Sequence, residues 1–380
     1  MQQPVPYNRP HLTGNELNYI KDSHQRGQLA GDGFHTRECE KILEATTGAS
    51  RVLLTHSCTA AMEMAALLFD INEGDEIIMP SYTFVSTANA FVLRGANPVF
   101  VDIRPDTLNL DETLVEEALT ERTRAIVPVH YAGIGCEMDP LLELAKRNNL
   151  RILEDAAQGV LASYKQRPLG SMGDLGAYSF HETKNIISGE GGALLINDPN
   201  LVERAEHIRE KGTNRAQFFK GHIDKYTWVD VGSSYVPGEI IAAFLHAQLE
   251  KANEITQRRL SLWEAYHEAL EPLEEQGKLK RPTIPEHCQH NAHIYYIILA
   301  NETTRNRLIK KFSELGVQTI FHYIPLHSSP AGIKYGRILE PLVNTEALSS
   351  RVLRLPLWVG MPEPSIIVKI LTKLIRDAKA

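Results

Sequence analysis

The chain has 380 residues, 43% of them hydrophobic and 23% charged, with a net charge of −7 at neutral pH. This length can bury a full core, and the composition is that of an average soluble globular protein, which excludes long disorder. No apolar run approaches the ~20 residues that span a bilayer, and no block of Lys and Arg is long enough to mark a nucleic-acid surface, so neither a membrane nor a nucleic acid is an expected partner.

The opening segment MQQPVPYNRPHLTG has neither the basic start nor the apolar stretch of a signal peptide, and the cytoplasm is the expected location. From there to about residue 250, short apolar runs alternate with amphipathic stretches. Strands are expected at 51–55, 76–79, 98–102, 125–130, 151–154, 176–180 and 193–197, with helices at 59–69, 85–94, 111–119 and 137–148. Such alternation predicts an α/β domain on a mainly parallel sheet. A continuous helix is expected over 239–273, leading out of that domain. A strand at 293–299 and helices at 303–314 and 364–379 then predict a smaller α+β domain. The expected division is 1–250 and 251–380, with no internal repeat. Cys39, Cys58, Cys136 and Cys288 share no metal-ligand spacing, so reduced thiols and no metal site are expected.

Four motifs carry chemistry. Thr55-His56-Ser57-Cys58-Thr59-Ala60-Ala61 closes a strand and opens an apolar helix, whose free N–H groups and dipole make an anion site. Pro80-Ser81-Tyr82-Thr83-Phe84 ends the next strand with an aromatic ring. Glu154-Asp155-Ala156-Ala157-Gln158 puts a carboxylate at a strand end, where ligands gather in open α/β sheets. Ser179-Phe180-His181-Glu182-Thr183-Lys184-Asn185 puts a lysine between a strand and the glycine-rich turn SGEGG. Each has a plain alternative: a helix cap, a core aromatic, a capping Asp, a surface lysine. Together they match one cofactor, pyridoxal phosphate (PLP). The helix start takes its phosphate, an aromatic stacks on its ring, the carboxylate holds the protonated ring nitrogen, and the lysine reaches its aldehyde.

In this order the motifs resemble those of the DegT/StrS family of sugar aminotransferases, PLP-dependent enzymes of the aspartate-aminotransferase fold (fold type I). The segments GDEIIMPSYTFVSTANAFVLRGA, IVPVHYAG, EDAAQGV, SFHETKN, REKGTNRAQFF, DKYTW and FHYIPLH carry the resemblance over nearly the whole chain. It implies that Lys184 is the Schiff-base lysine, that Asp155 partners the pyridinium nitrogen, and that Gln158 lies near the ring hydroxyl. It further implies phosphate contacts from Thr59 and Ala60, a hydroxyl from Ser179 and ring stacking by Phe84. Family active sites lie at a homodimer interface. The segment Gly232-Ser233-Ser234-Tyr235 stands where the family crosses to the partner's phosphate, with Ser234 in place of the commoner Asn. The adjoining Val236-Pro237-Gly238-Glu239 departs from the usual pattern. For the substrate, the resemblance points to Tyr7 and Asn8 near the sugar and to Arg215, His322 and His327 against a diphosphate. The implied reaction moves an amino group from glutamate to a keto-sugar nucleotide, a TDP-linked 4-keto-6-deoxy sugar in the subgroup these segments most resemble. A PLP-dependent sugar dehydratase is the alternative on the same fold, but such members can replace the lysine with histidine, and Lys184 is retained. Intact Lys184 and Asp155 also speak against a non-catalytic scaffold.

Overall fold

The computed structural model describes residues 4–219 and 221–376. Its main sheet contains β1 (Arg51–Thr55), β2 (Glu76–Pro80), β3 (Asn97–Val101), β4 (Thr123–Ile126), β5 (Arg151–Asp155), β6 (Leu175–Ser179) and β7 (Gly192–Ile196). A second, two-stranded sheet pairs β8 (Tyr295–Ile298) with β10 (Val352–Leu355), and the short β9 (Arg337–Ile338) returns to the main sheet. The main sheet runs β1-β7-β6-β5-β4-β2-β3-β9. Every pairing in it is parallel except those of β7, which runs against both its neighbours. The carboxyl ends of β1, β2, β5 and β6 and the amino end of β7 therefore share one edge.

The strands read as apolar runs because both faces of the sheet are covered. Successive residues feed opposite cores: Val52 and Leu54 lie in one apolar cluster and Leu53 in another, and Ala193 and Leu195 likewise oppose Leu194 and Ile196. The second sheet has a core of its own, built from Trp263, Tyr266, Leu270, Tyr295, Phe312 and Leu353, among others. The helices that matter for the site are α1 (Glu16–Arg26), α2 (Phe34–Thr47), α3 (Cys58–Leu68), α4 (Val85–Val92), α5 (Met138–Asn148), α6 (Glu239–Leu249), α7 (Ala252–Glu275), α8 (Glu302–Glu314) and α9 (Pro364–Arg376). The expected extension of the last helix to 379 lies outside the described residues.

Three expectations are corrected. The helix expected at 111–119 is two short 3-10 turns, Glu112–Leu114 and Glu116–Ala118. Asp111 Oδ1 accepts from the backbone N–H and the hydroxyl of Thr113 (3.1 and 2.6 Å), a local bond that competes with helix. The strand expected at 125–130 ends at Ile126, because Pro128 has no N–H for the ladder, and only Val129 bridges onward to Asp155. The single helix expected over 239–273 is two helices. α6 is buried nearly all round (Ala242, Ala243, Leu245 to Leu249), whereas α7 buries one stripe through Ile255, Arg259, Trp263, Tyr266, Leu270 and Leu273. One straight rod cannot serve both environments, and the chain breaks at Lys251 (φ −109°, ψ 8°).

Glu239 ties the opening helices to the large core. Its buried carboxylate accepts from the N–H groups of Gly33, His35 and Thr36 (2.9, 2.9 and 3.1 Å) and from the Thr36 hydroxyl, so the first residue of α6 caps the start of α2. A Cβ on Gly33 would fall 2.3 Å from the Glu239 side chain, which is why the neighbour is glycine. Glu239→Ala orphans all of these donors and should cost at least about 4 kcal/mol of stability, and Glu239→Gln, which keeps one acceptor oxygen, should cost less, since each orphaned buried donor costs ~1–3 kcal/mol. Urea unfolding checks both.

Candidate active site

The shared strand edge opens into a cavity of about 790 Å³. One wall is the turn from β1 into α3. Ser57 is extended (φ −163°) and its Oγ caps the helix by accepting from Ala60 N–H at 3.1 Å. Ser57, Cys58 and Thr59 line the cavity, and Thr59 donates its hydroxyl to Ser86 Oγ at 2.8 Å. Ala60 donates its N–H to Ser57, and its side chain is core. The helix start presses against the head of β7, where a Cβ on Gly192 would come within 2.4 Å of Cys58 N. Only glycine lets the reversed strand approach a helix N-terminus that closely.

Asp155, the last residue of β5, is buried in the cavity wall. Oδ2 accepts from the Thr87 hydroxyl at 2.7 Å and Oδ1 from Ala157 N–H at 3.1 Å. Thr87, having donated, accepts from Thr83 at 2.8 Å, so a relay of hydroxyls from the start of α4 fixes the carboxylate. Lys184 sits in the loop from β6 to the reversed β7. That loop is closed by Phe180 N–H to Gly191 O (2.9 Å), Ser188 N–H to Phe180 O (2.7 Å) and Glu182 N–H to Gly189 O (2.8 Å), with Gly189 left-handed at φ +82°. Burial lowers the Lys184 pKa by disfavouring the ammonium; Cys58 and Asp155 act to raise it, and the Arg354 cation to lower it. The net shift is downward, which raises the share of nucleophilic free amine at a given pH.

Gln158 bridges two elements: Oε1 accepts from Ala132 N–H (2.7 Å) and Nε2 donates to the Tyr323 hydroxyl (2.8 Å). Tyr323 stacks on His322 at 3.7 Å, and His322 Nδ1 shares a 2.7 Å hydrogen bond with Tyr131. Ser179 and the exposed ring of Phe84 line the same cavity. Tyr7 and Asn8 reach it along an N-terminal segment held by Trp358 Nε1 to Pro6 O (3.0 Å) and Val5 N–H to Gly316 O (2.8 Å), and Asn8 Nδ2 donates to Glu182 O at 3.3 Å.

The residues expected against a diphosphate do not gather there. His322 is in the wall, but burial and then Arg354 drive its pKa well down, so it is a neutral ring and not a cation. His327 lies outside, bonded to Ser81 Oγ at 2.7 Å and facing Glu346 at 3.4 Å. Arg215 lies outside too, 3.7 Å from Glu210. Ser234 is exposed and bridges Glu210 through its backbone, away from this chain's own cavity. Sequence reasoning missed Thr83, Thr87, Tyr323, His293 and Arg354. The two threonines were findable, since hydroxyls four residues apart at a helix start share a face. Arg354 left no signal beyond one cation in the apolar strand VLRL.

The four cysteines are free and buried, with Cys58 in the cavity wall. Among the described residues, no group of His, Cys, Asp and Glu is placed to hold a metal, and no helix is long and apolar enough to cross a membrane.

The model of the DegT/DnrJ/EryC1/StrS aminotransferase family matches residues 10–372. GDP-perosamine synthase of Caulobacter vibrioides is 33% identical over 362 residues, 94% of this chain and 94% of that protein. DesV of S. venezuelae, solved in complex with a ketimine intermediate, is 29% identical with a TM-score of 0.89 over 98% of this chain and 99% of that one. Spr1654 from Streptococcus pneumoniae, solved in its PMP form, is 25% identical with a TM-score of 0.90, covering 98% of this chain and 99% of that one.

In the cofactor-free protein, Lys184 should lose its proton at lower pH than exposed lysines do. Asp155→Asn removes a charge that helps retain that proton, so the Lys184 midpoint should move lower still. Acetylation across a pH series, read by mass spectrometry of the Lys184 peptide, gives both midpoints; an upward move in the variant would show that the carboxylate does not act on the amine.

Proposed function

The chain belongs to the DegT/DnrJ/EryC1/StrS aminotransferase family, with PLP as its cofactor and the fold type I architecture, and on that footing we propose that it aminates the 4-keto carbon of a nucleotide-linked 6-deoxy sugar, with glutamate as donor. The observation that carries the reading is the pairing, in one cavity, of a carboxylate fixed by Thr87 and Ala157 with a lysine whose ammonium form is disfavoured. The cavity fits the cofactor on its own geometry. The start of α3, with Ser57 and Thr59 in the cavity wall, suits a phosphate, the held Asp155 suits a protonated ring nitrogen, and Lys184 shares the same wall.

In this reading Ser57, Thr59 and Ser179 hold the phosphate, Phe84 covers one ring face, and Gln158 Nε2, beside Tyr323, faces the ring hydroxyl. PLP, when bound, supplies an electron sink for the carbanion left when the donor loses its α-proton. Asp155 keeps the ring nitrogen charged, and the Thr83–Thr87 relay keeps Asp155 turned toward it. Lys184 Nζ would hold the cofactor by its aldehyde and would serve as the base that moves the donor's α-proton. Tyr7 and Asn8 contact the sugar. Ser234, exposed and outside its own cavity, reaches the phosphate in a two-fold partner. The resemblance noted above supports TDP as the nucleotide and the galacto configuration for the new amine, as in enterobacterial common antigen synthesis.

TDP-4-keto-6-deoxyglucose with L-glutamate should give TDP-4-amino-4,6-dideoxygalactose, identified by mass spectrometry and NMR. Lys184→Ala should lose about 10³-fold or more in turnover while staying folded. Amination of a 3-keto isomer alone would leave the family role and remove the substrate.

Shared sites have their own test. Lys184→Ala and Ser234→Glu should each be inactive as pure dimers. Random mixing puts both lesions into one site of each hybrid and leaves its other site intact, restoring about a quarter of wild-type activity. No recovery after confirmed subunit exchange would place Ser234 in its own chain's site.

A further inference from the structure

One ring in the cavity wall has a tautomer fixed by the fold. His293 stands just before β8 and borders the cavity together with Lys184. Asn185, the residue after Lys184, donates from Nδ2 to Asn291 O at 2.7 Å. Turning that amide over would set Oδ1 against another oxygen, so Oδ1 is the atom that meets His293 Nδ1 at 3.1 Å. An amide oxygen has no proton to give. Nδ1 therefore carries the proton, and in the neutral ring Nε2 keeps only its lone pair.

The ring stays neutral and stays in place. Burial drives its pKa well down, and the cations Lys184, Arg259 and Arg354 act in the same direction. Arg259 also donates to His293 O at 2.7 Å, which fixes the backbone. Among the described residues no donor bonds Nε2, yet that atom is not sealed in the core, so it opens on the cavity. Other acceptors of the wall are already engaged: Asp155 by Thr87 and Ala157, and Gln158 Oε1 by Ala132 N–H. His293 thus presents the cavity with an acceptor that does not turn into a donor.

The reaction brings two substrates past this wall, and their chemistry separates them. Glutamate offers two carboxylates, which only accept, and its amine is taken up in the reaction itself. A lone pair that gains no proton finds nothing to bind there. A keto sugar keeps hydroxyls, which donate. His293 is tied through Asn185 to the loop that holds Lys184, so the hydroxyl it meets is one close to the reacting carbon. In a 4-keto-6-deoxy sugar C5 carries the ring oxygen and the methyl carbon, which leaves the hydroxyl at C3 as the neighbour of the keto group. We propose that His293 Nε2 accepts a hydrogen bond from this 3-hydroxyl, and so selects sugars that carry one beside the keto carbon; this rests on the sugar-aminotransferase reading above. A sugar without that hydroxyl leaves the acceptor unpaired, which is how a polar wall rejects a deoxy analogue.

The test follows the sugar half-reaction of enzyme loaded with pyridoxamine phosphate, on TDP-4-keto-6-deoxyglucose and on its 3-deoxy and 2-deoxy analogues. Wild type should be about tenfold or more less efficient on the 3-deoxy analogue and within about threefold of the parent on the 2-deoxy one. His293→Asn keeps an amide N–H for Asn185 and lacks the nitrogen that opens on the cavity, whereas His293→Phe lacks both. Each should lose about tenfold or more on the parent sugar and less than about threefold on the 3-deoxy analogue, so that the preference disappears. Bleaching of the cofactor's visible band by L-glutamate reports the other half-reaction, and in His293→Asn it should change by less than about threefold. A wild type that aminates the 3-deoxy analogue as well as the parent overturns the proposal before any variant is made. A preference that survives both substitutions overturns it too, as does a glutamate half-reaction slowed as much as the sugar's in His293→Asn, the mark of a merely structural ring. If wild type bleaches with glutamate yet aminates only a 3-keto isomer, the substrate reading fails. The acceptor then stands if His293→Asn abolishes the preference for that isomer over its 2-deoxy or 4-deoxy form, and falls if it does not.

Discussion

The site depends on a buried carboxylate that does no chemistry. Glu154 precedes Asp155 on β5, and strand alternation sends the two side chains to opposite faces. Glu154 is fully buried and accepts four hydrogen bonds: from the N–H groups of Gly170, Met172 and Gly173 (2.8, 2.5 and 2.7 Å) and from His130 Nε2 (2.9 Å). His130 Nδ1 accepts from Cys136 N–H at 3.1 Å, so the proton on this ring belongs on Nε2 and points at Glu154. Burying a carboxylate is costly unless its lone pairs are met. Meeting them here locks the end of β5 to the loops on either side, and with it the position of Asp155.

The second constraint is the reversal of β7. A wholly parallel sheet would place a crossover after β6, and Lys184 would ride on a long connection. Because β7 returns antiparallel, the loop stays short and closed by its own backbone bonds, and the head of β7 meets the start of α3 at the same edge. Lys184 and the start of α3 are thus brought together by one topological feature.

A third set of contacts joins the two sheets across the cavity. Asn185, next to Lys184, donates to Asn291 O at 2.7 Å, and its Oδ1 meets His293 Nδ1 at 3.1 Å. Asn291 donates in turn to the carbonyls of Gln158 and Val160, both at 2.8 Å. Arg259, its pKa pushed down to about 10 by burial, caps the same stretch through Ala292 O and His293 O. The segment before β8 therefore buttresses both the Lys184 loop and the Gln158 turn, and this side of the cavity is held from behind as well as from the main sheet.

Local chemistry was legible in the chain. Apolar runs of strand length located the seven main strands to within a residue or two, apart from β4, where Pro128 stopped the ladder. Asp155 could be found because it ends a strand beside small residues, and Lys184 because it lies between a strand and a glycine-rich turn. The sequence could not tell that two helices, rather than one, follow residue 238, since that depends on which faces meet neighbours. Nor could it separate His322, driven neutral by burial, from a cation, or keep Arg215 and His327 out of the cavity. The Thr83–Thr87 relay and Arg354 acquire meaning only from partners far away in the chain: Thr87 from Asp155, Arg354 from Tyr7 and Phe321. Secondary structure and reactive groups follow from nearest neighbours, which the sequence states outright. Charge state, orientation and the company a side chain keeps follow from desolvation and long-range packing, which exist only once the chain has folded.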